Sequence, residues 1–231
     1  MRGTGLGQEI DMGGTLKIGV LVSGSGSNLQ AIIDRIEDGT LGAEIACVIS
    51  NNGTAFALER AKKHGIPSLH LDHRLFSGRS AYDAALLEAL REYGVELVVL
   101  AGFMRIITPV LIDAFPHAIM NIHPALLPAF PGLHAQQQAL DYGVKVTGCT
   151  VHFVDVGTDT GPVIIQAAVP VLDSDTEETL SKRIQVEEHR IFPEAVRLFA
   201  AGRLTVEGRR VVVASPSTTV SQGFVNPPLP A

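Results

Sequence analysis

The stretch LKIGVLVSGSGSN, residues 16–28, decides the fold. It opens with a largely apolar run of strand length, Leu16–Val22, that does not alternate with polar residues, as in a strand that is buried on both faces of a sheet. A Gly/Ser turn then leads directly into a helical segment whose apolar residues share one face, Leu29, Ile32, Ile33 and Ile36. A strand, a glycine turn and a helix in this order are typical of the first unit of a doubly wound, nucleotide-binding-like sheet.

The same alternation continues through the first half of the chain. Further apolar runs of strand length are found at Ala43–Ser50, Ser68–Leu71, Leu97–Ala101 and Ala118–Ile122. Helical periodicity is found at Asn28–Asp38 and Arg79–Tyr93, and glycines follow where these and other helices are expected to end, at Gly39, Gly65 and Gly94. Strands and helices in right-handed succession predict a mainly parallel sheet.

The order changes in the second half of the chain. Two β-rich runs, Val146–Val154 and Val163–Val171, predict an antiparallel, hairpin-like pair at the edge of the sheet. A long amphipathic helix is predicted at about Thr176–Ala201, and its N-cap candidates are Asp173, Ser174 and Asp175. The predicted fold class is therefore α/β, with a mostly parallel, doubly wound (Rossmann-like) sheet and an antiparallel strand pair in the C-terminal half.

Composition limits the classes of partner. The chain of 231 residues is 46% hydrophobic and 18% charged, which predicts one domain over residues 15–213 between a disordered extension at 1–14 and a flexible tail at 214–231. A net charge of -6 without a Lys/Arg-rich run argues against a nucleic-acid partner. We find no signal-peptide pattern and no apolar segment of membrane-spanning length, so we expect a cytoplasmic protein without a membrane partner. Cys47 and Cys149 lie in apolar runs and are expected to pack as small hydrophobes.

The glycine turn, residues 23–28, is a candidate anion site. It presents small residues and free N–H groups at the positive end of a helix, which suits a phosphate. Leu29 stands where a dinucleotide fingerprint has its third glycine, and the Gly-Lys-Ser/Thr of a P-loop is absent from the turn. A plain tight turn is the alternative interpretation.

Two further segments contain residues suited to catalysis. Asn121 and His123, at the carboxyl end of the fifth predicted strand, fall on one strand face and offer an amide and an imidazole. Asp159 lies in a Gly/Asp loop, and a carboxylate beside His123 favours the imidazolium. Each segment also fits an ordinary turn. His123, His134, His152 and Asp159 lack metal-ligand spacing, so no metal is expected.

Four motifs together resemble the glycinamide ribonucleotide formyltransferases of the formyltransferase superfamily. They are the glycine turn, AGFMRI at 101–106, NIHPALLP at 121–128 and DTGP at 159–162, and the resemblance covers about Lys17–Val213. It implies formyl transfer from 10-formyltetrahydrofolate, used as co-substrate without a metal, to the amine of glycinamide ribonucleotide. The partners would be these two small molecules, and the protein would be a monomer or a homodimer.

The resemblance also implies roles for individual residues. The catalytic group would be Asn121, His123 and Asp159. The ribonucleotide phosphate would be held by Gly26, Ser27 and Asn28, with Glu188 near the glycinamide and ribose. The folate pocket would be lined by Arg79, Met104, Arg105, Ile106, Ile107, Asn121, Asp155, Val156, Gly157, Thr158 and Asp159. Asn121 and protonated His123 would stabilise an oxyanion, and Asp159 would assist proton transfer.

Two departures and three rivals accompany this resemblance. Ser25 stands where the family often has Asn or Thr, and Ala129 stands where it often has Lys. The change at Ala129 removes a cation that attracts an anionic substrate. Methionyl-tRNA formyltransferase adds a basic C-terminal domain, and formyltetrahydrofolate hydrolase adds an N-terminal regulatory domain. We expect neither addition in this chain. A nucleotide-binding module without catalysis is the third rival, and the Asn/His/Asp group argues against it.

Overall fold

Residues 15–214 are described by the computed structural model, and the predictions for residues 1–14 and 215–231 lie outside this range. The strands are β1 (Leu16–Val22), β2 (Ala43–Ser50), β3 (Ser68–His70), β4 (Leu97–Leu100), β5 (Ile119–His123), β6 (Val146–Phe153), β7 (Val163–Pro170), β8 (Leu204–Glu207) and β9 (Arg210–Val213). The α-helices are α1 (Ser27–Glu37), α2 (Phe56–Lys63), α3 (Arg79–Glu92), α4 (Pro109–Ile112), α5 (Ala135–Tyr142) and α6 (Glu177–Ala200). A 3-10 turn spans His73–Leu75. The predicted domain boundaries at 15 and 213 stay a prediction.

The strands described between residues 15 and 214 form one sheet in the order β3-β2-β1-β4-β5-β6-β7-β9-β8. The first five strands pair in parallel, and β6 pairs antiparallel with both β5 and β7. The order reverses on either side of β1, since β2 lies on one flank and β4 on the other, which is a topological switch point. The predicted mostly parallel, doubly wound class with an antiparallel pair is confirmed.

The predicted position of that pair at the sheet edge is wrong. β9 pairs with β7 in parallel, and β8 pairs with β9 antiparallel, so β6 and β7 lie inside the sheet. The β8–β9 hairpin was missed because its two strands have only four residues each and no fully buried residue. Strands this short give little periodic signal in a sequence.

Helices cover both faces of the sheet and bury separate apolar clusters. One cluster joins strand residues to α1, α2 and α6 through Leu29, Ala57 and Phe192. The other joins the opposite face to α3 and α4 through Leu86 and Leu111. Burial of a Leu or Phe side chain stabilises the fold by about 1.5–3 kcal/mol. Cys47 and Cys149 are free and buried in these clusters, and burial raises the pKa of each thiol to about 12.

The predicted N-cap of α6 is also wrong. The cap is Thr176, whose hydroxyl accepts from the N–H of Thr179 at 3.2 Å, while the hydroxyl of Thr179 accepts from the N–H of Thr176 at 2.9 Å. Asp175 is unavailable as the cap because its carboxylate accepts from both terminal nitrogens of Arg183, at 2.6 and 2.9 Å. Asp173 pairs with Lys145.

Candidate active site

Strand β5 brings Asn121 and His123 to the carboxyl edge of the sheet. Met120 and Ile122 are buried in the cluster beneath α1 and α6, so strand alternation turns Asn121 and His123 to the opposite face. In the antiparallel register Asn121 lies opposite His152 of β6. Ligands bind at this edge in open α/β sheets because loops and helix ends converge there.

His123 is fixed by contacts at both ring nitrogens. Its Nε2–H donates to the carbonyl of Phe130 at 2.8 Å, since a carbonyl oxygen can only accept. Its Nδ1 lies 3.4 Å from Oδ2 of Asp159. The ring is 4% exposed, so bulk water competes little with either contact. Both ring nitrogens can donate together only in the imidazolium form.

Asp159 joins two loops. Its Oδ2 also accepts from the N–H of Gly132 at 2.8 Å, so the carboxylate links the loop after β6 to the segment after β5. Its backbone has a positive φ of 54°, a conformation that Asp and Asn adopt more readily than most residues. The structure thus places three residues from two distant parts of the sequence, Asn121, His123 and Asp159, in one cluster.

A fourth residue of this cluster was considered from the sequence only as a possible metal ligand. His152 is 2% exposed, and its Nε2 lies 3.2 Å from Nδ2 of Asn121 and 3.8 Å from Oδ1 of Asp159. Its Nδ1–H donates to the carbonyl of Phe153 at 2.8 Å. Burial lowers the pKa of His152, so the ring is neutral and its Nε2 accepts from the Asn121 amide. The β5–β6 register, which would have identified this pair, cannot be read from the sequence.

An open cleft of about 820 Å³ adjoins the polar cluster, which comprises Asn121, His123, His152 and Asp159. The predicted folate-pocket residues that line it are Arg79, Met104, Arg105, Ile106, Ile107, Asn121, Asp155, Gly157, Thr158 and Asp159. Val156 is outside the cleft lining, with a side chain that is 77% exposed. Residues that were not predicted for the folate pocket also line the cleft, among them Leu133, His134, Gln136 and Glu177.

The glycine turn lies outside the cleft lining and is supported by α2. Gly26 precedes α1 with a left-handed φ of 69°. A Cβ at this position would lie 2.6 Å from the Cβ of Ala57, which is closer than side chains approach. The N–H of Ala57 donates to the carbonyl of Gly24 at 3.1 Å, and Nε of Arg60 donates to that of Ser25 at 2.9 Å. The first N–H groups of α1 face the turn without intrahelical partners, as at the start of any α-helix.

A buried pair lies next to the turn. Nδ2 of Asn28 donates to Oε2 of Glu188 at 2.9 Å, and the two residues are 8% and 9% exposed. Burial raises the pKa of Glu188, and the hydrogen bond from Asn28 lowers it by a smaller amount. Oδ1 of Asn28 is buried and finds no hydrogen-bond partner within residues 15–214. Nε2 of Gln185 donates to the hydroxyl of Ser27 at 2.9 Å, so α6 contacts the turn at two places.

Residues 15–214 contain no group of three or more His, Cys, Asp or Glu side chains arranged to hold a metal ion. Within the same range, every helix is too short or too polar to cross a bilayer.

A doubly wound sheet with a polar cluster and an open cleft at the carboxyl ends of its strands defines an enzyme of the Rossmann-like α/β class. The protein has a more specific affiliation. The chain belongs to the formyl transferase family, whose family model matches residues 16–196.

Relatives with established names are similar over most of the chain. Phosphoribosylglycinamide formyltransferase of Escherichia coli K12 is 46% identical over 189 residues, which are 82% of this chain and 89% of that protein. The trifunctional purine biosynthetic protein adenosine-3 of Drosophila pseudoobscura pseudoobscura is 52% identical over 190 residues, which are 81% of this chain but only 14% of that protein. The crystal structure of glycinamide ribonucleotide transformylase 1 from Symbiobacterium toebii superposes with a TM-score of 0.87 at 58% identity, covering 88% of this chain and 96% of that one.

Proposed function

We propose that the protein transfers the formyl group of 10-formyltetrahydrofolate to the amine of glycinamide ribonucleotide, in de novo purine biosynthesis. One observation supports this most strongly: His123 lies 3.4 Å from Asp159 beside the cleft, in a chain 46% identical to a phosphoribosylglycinamide formyltransferase that it nearly spans. The reaction would take place in the cytoplasm, between two small molecules and without a nucleic acid or a membrane. The protein would act as a monomer or a homodimer.

In the proposed reaction the amine attacks the formyl carbon directly. A tetrahedral centre with a negatively charged oxygen forms, and donors aimed at that oxygen lower the barrier. One N–H of the Asn121 amide is used by His152, which leaves the second for the oxyanion. Nε2 of His123 is used by Phe130, so the donor that His123 offers is Nδ1–H. Its distance of 3.4 Å from Asp159 is longer than an ordinary hydrogen bond, so this N–H is not committed to the carboxylate and can be aimed at the oxyanion.

Asp159 would serve the proton transfer in this scheme. Collapse of the tetrahedral centre requires a proton to leave the attacking amine and another to reach the folate nitrogen that departs. His123 would supply the proton to the folate nitrogen, and the carboxylate beside it would accept the amine proton, directly or through water. No covalent enzyme intermediate and no metal are needed for these steps.

The two substrates would occupy neighbouring sites. The ribonucleotide phosphate suits the N–H groups of Gly26, Ser27 and Asn28, and Glu188 would accept from the glycinamide or ribose. The folate would lie in the cleft, where Met104, Ile106 and Ile107 offer apolar surface. Arg79 and Arg105 line the same cleft and suit the carboxylates of a folate tail.

Absorbance on mixing the protein with a 10-formylfolate analogue and glycinamide ribonucleotide tests the proposal. Turnover that requires the ribonucleotide amine is expected. Turnover of folate without it would identify a hydrolase, and the lack of any turnover would identify a nucleotide-binding module. The variant His123→Ala should lose most activity, while the control His70→Ala, which removes an exposed imidazole, should keep it.

A further inference from the structure

Ser23 uses all of its polar atoms to join separate segments of the chain. Its N–H donates to the carbonyl of Gly102 at 3.1 Å, and its hydroxyl oxygen accepts from the N–H of Met104 at 2.9 Å. Its hydroxyl hydrogen is donated to Oδ1 of Asn51 at 2.6 Å, and its carbonyl accepts from Nδ2 of Asn52 at 3.4 Å. Because all of its polar atoms are paired, Ser23 and the segments that it contacts move together.

Ser23 joins segments that belong to two different proposed subsites, the glycine turn and the cleft. Ser23 is the first residue of the glycine turn, three residues before Gly26, which precedes α1. Met104 begins the segment 104–107, which lines the cleft. Ser23 itself is absent from the cleft lining. It therefore lies between the two proposed substrate sites without touching the cleft.

The start of the segment 104–107 is held by the hydrogen bond from the Met104 N–H to Ser23, while its end is held by packing. The side chains of Met104 and Ile106 are 69% and 57% exposed, whereas Ile107 is buried in the apolar cluster that contains Leu86. Gly102, two residues before it, has a positive φ of 76°, a conformation that glycine adopts without steric cost. The two hydrogen bonds to Ser23 thus fix the start of the segment to the end of β1.

Asn51 holds the hydroxyl of Ser23 from the other side. It follows β2, and its Nδ2 lies 3.5 Å from Nδ1 of His73. Because Asn51 accepts the hydroxyl hydrogen, the oxygen lone pairs of Ser23 remain available to the N–H of Met104. The Ser23 rotamer is thereby set by a residue outside both subsites.

We infer that Ser23 is a positioning residue that couples the glycine turn to the folate cleft, so that each substrate strengthens the binding of the other. The inference rests on the proposed function. A ligand that restrains the turn also restrains Ser23 and, through its hydroxyl, the segment 104–107. The second ligand then meets a segment that is already ordered and loses less conformational entropy on binding. Couplings of this kind are reciprocal and typically about 5–150-fold in affinity.

Isothermal calorimetry measures the coupling as a ratio of dissociation constants. A folate analogue without a transferable formyl group is titrated into the protein with and without saturating glycinamide ribonucleotide. The wild type should bind the analogue at least about fivefold more tightly in the presence of the ribonucleotide. In Ser23→Ala this ratio should fall to about one, and Ser23→Thr, which keeps a hydroxyl, should restore it. The control Ser68→Ala removes an exposed hydroxyl from β3 and should leave the ratio at the wild-type value.

A merely structural role of Ser23 predicts a different result. It would weaken the binding of one or both ligands in Ser23→Ala and leave the ratio unchanged, and that result overturns the inference. A wild-type ratio of one overturns it as well. If Ser23→Ala does not fold, Asn51→Ala, which removes only the acceptor of the hydroxyl, must lower the ratio. Wild-type protein that binds neither ligand would overturn the proposed function and the inference together, whereas binding of both with an unaltered ratio in the variants removes the inference alone.

Discussion

Nδ1 of His123 lies 3.4 Å from Oδ2 of Asp159, and the same carboxylate oxygen accepts from the N–H of Gly132. The carboxylate therefore contacts both the candidate catalytic ring and the backbone of the loop that follows it. Because Phe130 accepts from the other nitrogen of the ring, this loop and Asp159 together set the orientation of His123. Asp159 thus supplies a negative charge beside His123 and also helps to position the ring. Substitutions of Asp159 can separate these two contributions.

Replacement of Asp159 by Asn is expected to remove the charge and keep the position. An Asn side chain tolerates the left-handed backbone at φ 54°, and its amide oxygen can still accept from Gly132. The loss of a general acid–base partner should lower kcat by about 10²–10⁴. Steady-state formyl transfer measures kcat, and calorimetry should show an unchanged Kd for glycinamide ribonucleotide.

Asp113→Asn is a matched control because Asp113 is exposed at the end of α4. It should turn over like the wild type. Asp159→Ala should lose more than Asp159→Asn, since alanine also gives up the Gly132 contact and strains the backbone. Near-normal kcat in Asp159→Asn would show that the charge of Asp159 has no part in the reaction.

His152 is expected to act through Asn121. In His152→Phe the Asn121 amide loses the acceptor that orients it at 3.2 Å, so kcat should fall about tenfold, the worth of one ordinary hydrogen bond. Asn121→Ala alone should cost about 10²–10³ in kcat, as the loss of one oxyanion donor does. The double variant should be no slower than Asn121→Ala, and kinetics of all four proteins give the coupling.

The exposed residue His70 supplies the control, as His70→Phe should leave kcat unchanged in both backgrounds. A tenfold loss on adding His152→Phe to Asn121→Ala would contradict the positioning role, because His152 would then act independently of the amide. Thermal unfolding of each variant separates this effect from the loss of a donor to the buried carbonyl of Phe153.

The strands that are buried on both faces of the sheet were largely predictable from the sequence. The bounds of β1 and β2 agree with the structure because strands buried on both faces are continuous apolar runs, whereas β8 and β9 alternate and are short. His152 could not be assigned, since its place opposite Asn121 depends on pairing between strands some 30 residues apart. The cap of α6 differs because a distant side chain, that of Arg183, uses Asp175.

Glu188 should make stability depend on pH. Burial raises its pKa above the usual 4.5, so the folded protein binds the proton more tightly than the unfolded chain. Stability contributed by the protonated form is present below 4.5 and is lost as pH rises through the folded pKa. Glu188→Gln cannot ionise, so it does not lose stability as the pH rises, and it keeps an acceptor for Asn28. The free energy of unfolding of Glu188→Gln minus that of the wild type should therefore increase from about pH 5 to about pH 8.

Urea unfolding at the two pH values measures this difference. Glu178→Gln is the control, because the hydrogen bond from Lys182 lowers the pKa of Glu178, so that this group titrates below the window. Its difference from wild type should stay nearly flat between about pH 5 and pH 8. A flat difference for Glu188→Gln would show that the Glu188 carboxylate is ionised in the fold without penalty.

Gly26 and Gly39 separate steric exclusion from backbone strain at the glycine turn. Both have a left-handed φ, of 69° and 78°, but a Cβ at Gly26 would meet Ala57 at 2.6 Å, while one at Gly39 would meet nothing within 4 Å. Gly39→Ala should therefore lower the free energy of unfolding by about 1–2 kcal/mol, the strain alone. Gly26→Ala adds overpacking and should lose about 2–5 kcal/mol in all.

Binding of glycinamide ribonucleotide should respond to the same pair of variants. The added Cβ at position 26 clashes with α2 and displaces the turn, so Gly26→Ala should weaken ribonucleotide binding at least tenfold in calorimetry, and Gly39→Ala should not. Equal affinities in the two variants would mean that the packing of α2 against the turn does not shape the phosphate site, and the ribonucleotide would then have to be held elsewhere.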